Sequence, residues 1–117
     1  MKRFLFVLIV VFATGAYADA PMTPYSHEVV TFDNTSGGVG LSATTITVAG
    51  RQMQFCSGVL ETAPIRFYYD GTAPTSSDGQ PLSVGQALTL TGFTSISRFR
   101  GIRQSSTSGV IRFTCSR

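Results

Sequence analysis

Beyond residue 27 no stretch repeats apolar residues at helical spacing for three turns; short β-branched and aromatic runs are instead cut apart by Gly, Pro, Ser and Asp. A chain punctuated this often has no room for long helices, and the pattern is that of an all-β sandwich or barrel. The spacing predicts strands over Glu28–Phe32, Leu41–Val48, Gln52–Leu60, Ile65–Tyr69, Gln86–Leu90, Ser95–Arg103 and Gly109–Ser116. About seven strands in about ninety residues suit a two-sheet sandwich, either Ig-like or jelly-roll-like.

Side-chain parity refines this expectation. Ile65, Phe67 and Tyr69 share one face of their run, Leu88 and Leu90 point one way, and Ile111, Phe113 and Cys115 share a face. Cys115 should therefore point inward. Met53 and Phe55 have the parity opposite to Cys56, so strict alternation sends one cysteine outward. A β-bulge near Cys56-Ser57-Gly58 would restore it, because one extra residue reverses the parity. Ile96, Phe99 and Ile102 recur every third residue, which predicts a second bulge or bend.

The N-terminus reads as a separate segment. Met1-Lys2-Arg3 is a cationic start, Phe4 to Ala13 is a continuous apolar run, and Ala16-Tyr17-Ala18 supplies small residues where a signal peptidase cuts. The run is about half of the roughly 20 residues that span a bilayer, which favours a cleaved signal at residues 1–18 over a retained anchor or a buried strand. No stable membrane anchor would remain after cleavage. Residues 19–27, rich in proline, read as an extended leader, and residues 28–117 as the β domain. Without the first eighteen residues, 99 of 117 remain and the formal charge of +3 falls to +1 through loss of Lys2 and Arg3.

Export makes the cysteines interpretable. Cys56 and Cys115 would meet an oxidising compartment, where pairing closes a long loop and stabilises by about 4 kcal/mol; two free thiols are the alternative.

The residue inventory offers little for catalysis. The single histidine, His27, sits at the edge of the leader, and the acids Glu28, Asp33, Glu61, Asp70 and Asp78 are scattered without an evident carboxylate pair. No GxSxG elbow or CxxC pair occurs. The chain therefore reads as non-enzymatic, with no cofactor and no metal site. Thr35 to Gly40 is glycine-rich, yet no lysine follows as a phosphate-binding loop requires. Asn34-Thr35-Ser36 is a glycosylation sequon, relevant only in a eukaryotic host.

In the loop DGTAPTSSDGQP, two carboxylates fall short of the six to eight oxygens that calcium collects. The structural reading is a turn in which Asp70 accepts a backbone N–H two residues on, Gly71 takes a positive φ, Thr72 follows, and Pro74 stiffens the loop. Arg98, Arg100, Arg103 and Arg112 cluster late, with Arg98 and Arg100 expected on one strand face. With a mature charge near +1 they read as a protein interface, for which arginine is enriched, ahead of a nucleic-acid surface.

The stretch ETAPIRFYYDGTAPTSSDGQPLSVGQALTLTGFTSISRFRGI, from Glu61 to Ile102, resembles a family of small proteins encoded among tailed-phage structural genes. The matching elements are Thr62-Ala63-Pro64-Ile65-Arg66, Asp70 to Thr75, Gly79-Gln80-Pro81-Leu82, Leu88 to Leu90, Phe99 to Arg103 and Arg117. The resemblance implies a virion-associated or accessory structural role, with virion or host-envelope proteins as partners. Ile65 to Thr75 is also similar to a hairpin of the Ig-like domain at the C-terminus of chitobiases, which implies a β-sandwich without catalysis.

Two functional expectations follow. One is a non-enzymatic phage-type structural or accessory protein acting through protein contacts, exported or virion-associated. The other is a secreted or periplasmic glycan- or envelope-binding module, with Tyr25, Tyr68 and Tyr69 as stacking groups and Tyr69 favoured for the core. A sandwich this small with open edge strands is also a candidate for self-assembly.

Overall fold

The computed structural model describes residues 24–117, so the expected signal segment and the first part of the leader lie outside the described residues. The described chain is mostly β. In order it forms β1 (Pro24–Phe32), α1 (Ala43–Ile46), β2 (Thr47–Val48), β3 (Arg51–Gln52), β4 (Phe55–Glu61), β5 (Ile65–Tyr68), β6 (Gln80–Leu82), β7 (Ala87–Thr91), α2 (Phe93–Arg98), β8 (Arg100–Arg103) and β9 (Gly109–Ser116). One antiparallel sheet has the order β1-β9-β4-β7 and another the order β6-β5-β8, while β2 and β3 make a small ribbon.

The pairing is nested. β1 lies beside β9, Val39 bridges Gly101 of β8, β4 lies beside β7, and β5 lies beside β6. Each pair sits inside the one before it, so the chain runs out and back as one long ribbon. Contacts of β4 with β9 and of β5 with β8 then roll that ribbon into two sheets.

Alternation gives each sheet one apolar face, and both faces feed a single buried cluster. Val30, Phe32, Cys56, Leu60, Leu88, Leu90, Ile111, Phe113 and Cys115 enter it from the first sheet, and Ile65, Phe67 and Leu82 from the second. Phe99, which follows α2 and is fully buried, is the hub. Its ring centroid lies 5.8 Å from Phe32, 5.9 Å from Phe67 and 5.7 Å from Phe113, in tilted and edge-on arrangements that aromatic pairs favour. Gly101 permits the close approach of β8 to β1: a Cβ there would stand 2.6 Å from Phe32 Cε1.

Cys56 and Cys115 form a disulfide, both sulfurs lying in the core. They face each other directly in the β4–β9 register with Cα atoms 4.1 Å apart, the close spacing of a non-hydrogen-bonded pair. The bulge expected near Gly58 does not occur. From Phe55 to Glu61 the register with β9 is constant, and Cys56 and Leu60 point inward together. Met53 is buried from a position before β4 begins, and Phe55 turns to the outer face, half-buried.

Three other expectations are corrected. The expected strand Ser95–Arg103 is a strand only from Arg100: Phe93–Arg98 is a short helix that tucks Ile96 into the core, and the bend expected at Ile96, Phe99 and Ile102 is its passage into β8. The expected strand Leu41–Val48 is mostly the turn of helix α1, and only Thr47 and Val48 extend. The first strand starts at Pro24, so Pro24, Ser26 and His27 pair with β9 where a leader was expected, with the register shifting at Tyr25. One strand, β6, was not foreseen; it contains Pro81, which only an edge position tolerates.

The link from β4 to β5 opens with a one-residue turn. Thr62 takes φ +79° while the Ala63 N–H donates to the Glu61 carbonyl at 3.0 Å, a tight γ-turn in a region that a β-branched residue disfavours. Thr62→Gly should therefore raise unfolding stability by about 1 kcal/mol, strain relief outweighing the entropy of glycine. Urea unfolding checks it; a loss of stability would show that Thr62 makes a compensating contact.

Candidate functional site

Three loops remote in sequence converge on one open cleft of about 680 Å³. Asn34, Ser36 and Gly37 come from the segment after β1; Ala73, Pro74, Thr75 and Ser76 from the β5–β6 loop; and Arg103, Gln104, Ser105 and Ser106 from the end of β8 and its turn into β9. Ile102 and the buried Pro74 supply apolar surface, and hydroxyls, amides and one guanidinium make up the rest.

Each loop is braced locally. In the first, the Asp33 carboxylate accepts the Thr35 N–H at 2.8 Å and the Thr35 hydroxyl as well, and the reciprocal Val39–Gly101 bonds at 2.7 and 2.8 Å fasten the loop to β8. In the second, Asp70 Oδ1 accepts the Thr72 N–H at 2.9 Å across Gly71, whose φ is +93°. Thr75 and Asp78 exchange backbone bonds at 2.8 and 3.2 Å; the Tyr68 hydroxyl donates to Asp78 at 2.8 Å, and Arg66 donates to the Gly79 carbonyl at 2.9 Å. The third loop is held by the Arg103 N–H on the Asp33 carbonyl at 3.0 Å and the Gln104 N–H on the Pro64 carbonyl at 3.2 Å.

These bonds set the titration of the site. The Thr35 hydroxyl and then its N–H hold the Asp33 carboxyl below the usual range, and the Thr72 N–H and then its hydroxyl do the same for Asp70. The hydrogen bond to Asp78 pushes the Tyr68 phenol up. Because both aspartates are lowered on folding, the order they supply is complete above the unfolded aspartate range and is lost as pH falls through the folded values. The Thr35 and Thr72 amide signals should titrate below the pH at which an aspartate in an unstructured peptide does. Midpoints at the ordinary value would mean the loops are not held this way.

The four late arginines do not make one row. Arg98 ends α2 and therefore cannot share a strand face with Arg100; it lies near Gly71 and acts on Asp70 electrostatically. Arg100 folds back to donate to the Phe99 and Ser97 carbonyls at 2.7 and 3.3 Å. Arg103 lines the cleft, with its charge near Asp33. Arg112 belongs to the other sheet, on the outer face of β9, where it meets Glu61 at 3.4 Å in a solvent-exposed pair that contributes little.

The tyrosines are also dispersed. Tyr25 is exposed and accepts a bond from Arg51 at 3.3 Å. Tyr69, placed in the core by alternation, lies just beyond β5 and is 45% exposed; it stacks on Phe67 and lines a second groove of about 240 Å³ with Thr89, Leu90, Thr91 and Ser95. Among the described residues no group of three or more His, Cys, Asp or Glu side chains is placed to hold a metal ion. The cleft itself was not legible in the sequence, since its serines, threonines and amides carry no motif and meet only through the fold. No family model, curated protein or solved structure matches this chain.

Proposed function

We propose that this chain is an exported, non-enzymatic β-sandwich of jelly-roll order that serves as a phage-type structural or accessory protein and works through protein contacts. The observation that carries the reading is the nested pairing of first strand with last and of inner strands with one another. In an immunoglobulin-type sandwich the first strand lies beside the second, so this order favours the jelly roll, an architecture of capsid and lectin domains. The warrant is fold order joined to the resemblance of Glu61 to Ile102 to proteins encoded among phage structural genes. The buried disulfide is compatible with an oxidising, exported environment.

A second reading, a glycan- or envelope-binding module, is favoured by one specific observation. The cleft between the three loops offers hydroxyl and amide groups over Pro74 and Ile102, a surface chemistry that suits a saccharide. Proteomics of purified phage particles and of the periplasmic and secreted fractions separates the two. Stoichiometric recovery in particles is expected on the first reading. Recovery only outside particles, with saccharide-induced shifts of the Ser36, Thr75 and Gln104 amides, would replace it with the second.

A further inference from the structure

The sheet edges are defended unequally. β6, an edge of the second sheet, has three residues and carries Pro81. The free side of β8 is met by Val39. β1 is shielded by the α1 segment, with the Ser26 hydroxyl donating to the Thr45 carbonyl at 2.7 Å and the Ser42 N–H donating to the Glu28 carboxylate at 3.0 Å. Short strands, proline and covering segments are the usual means of keeping an edge from pairing. β7, Ala87-Leu88-Thr89-Leu90-Thr91, carries no charge, no proline and no bulge against β4, and no strand lies beyond it among the described residues; Tyr69 and Ser95 border a groove beside Thr89, Leu90 and Thr91.

Which backbone groups face outward follows from the ladder. The Leu60 N–H donates to the Gln86 carbonyl at 3.0 Å and the Gly92 N–H to the Gln54 carbonyl at 2.7 Å, both in the register that joins β4 to β7. Hydrogen-bonded pairs alternate along an antiparallel ladder, so Leu88 and Leu90 bond to β4. The Cα spacing of Cys56 and Cys115 agrees, since a residue not bonded to β9 must bond to Leu90 on its other side. The N–H and C=O groups of Ala87, Thr89 and Thr91 therefore point to the free edge.

We propose that β7 is the contact by which two copies of this chain join, antiparallel and two-fold about Thr89, into one continuous sheet. The strand is self-complementary about that residue. Thr89 meets Thr89 of the second copy and Ala87 meets Thr91, and every such pair brings together residues whose polar groups face outward, so each exchanges both backbone bonds. Leu88 then stands opposite Leu90, extending the apolar face, while one threonine pair at Thr89, flanked by two Ala87–Thr91 pairs, forms on the outer face. No charged side chain lies on β7 or on β4 between Phe55 and Leu60 to repel the second copy. An isologous contact of this kind closes at two copies. The inference goes beyond the proposed function and holds on either reading of it.

Sedimentation equilibrium of the purified protein, paired with amide hydrogen exchange, tests this. The wild-type chain should be a dimer in which the Ala87, Thr89 and Thr91 amides are protected. Thr89→Pro removes an outward N–H that β4 does not use, and Thr89→Lys keeps the backbone while placing two lysines on the axis. Either should raise the dissociation constant at least about tenfold and expose those three amides, with Leu88 and Leu90 still protected. Because the lysine variant leaves the backbone intact, it decides the matter if the proline variant does not fold. A monomer at every soluble concentration would overturn the proposal and leave the edge to a strand from another protein; a dimer that Thr89→Lys does not weaken would overturn it too.

Discussion

Replacing Cys56 and Cys115 together with alanine is expected to lower the unfolding free energy by about 4 kcal/mol, the chain-entropy value for a loop of about this length. The two residues are 59 positions apart, so the bond encloses most of β4 through β9, and in a domain of this size the loss should lower the melting temperature by roughly 15–30 °C. The bond lies in the middle of the first sheet, between its two central strands. Without it the last strand keeps its ladder hydrogen bonds and the packing of Ile111 and Phe113 in the core. Thermal melts of the double variant, with and without reductant, check this: reductant should lower the wild-type midpoint and leave the variant unmoved. A loss under about 1 kcal/mol would show that the denatured chain is already compact across that loop.

Phe99→Ala should cost about 3–5 kcal/mol, the range for deleting a fully buried aromatic side chain. Phe99 is the side chain on which the sheets meet, contacting Phe32 and Phe113 of one and Phe67 of the other. It lies between α2 and β8, where the chain is held by the Ile96 N–H on the Gly92 carbonyl and by the β5–β8 ladder, so the backbone has little freedom to collapse into the cavity. Phe55→Ala, on the half-buried outer face of β4, should cost clearly less. Chemical denaturation of both variants decides it. Equal losses would mean that the contact between the sheets does not centre on Phe99.

Much of this fold was legible in the sequence because period-two alternation is a local property. β9 was placed from Gly109 to Ser116 without error, and the inward parity of Leu88, Leu90, Ile111, Phe113 and Cys115 follows from alternation alone. What failed was the assumption that a run of apolar residues is one element. Met53 and Cys56 conflict in parity only if one strand holds both, and the chain resolves the conflict by starting β4 at Phe55. Phe93–Arg98 holds Phe, Thr and Ile and lacks a side-chain cap, so its helical turn, which buries Ile96, was not signalled locally. The cleft and the β7 edge were beyond a local reading for a different reason. Both depend on which segments the nested pairing brings together, and on which edges it leaves covered.

That nested order also explains the placement of the loops. Rolling a ribbon in which β4 pairs with β7 and β5 with β6 brings the segment after β1, the β5–β6 loop and the β8–β9 turn to one place, although they are remote in sequence. The Asp33 and Asp70 turns keep these loops ordered without contributing to the core.

Intact-mass spectrometry of the protein recovered from its native source tests the central claim, an exported β domain closed by one disulfide, most directly. A chain beginning at Asp19 and lighter by two hydrogens than its reduced form is the expected result. A chain that retains Met1 and carries two free thiols would contradict it.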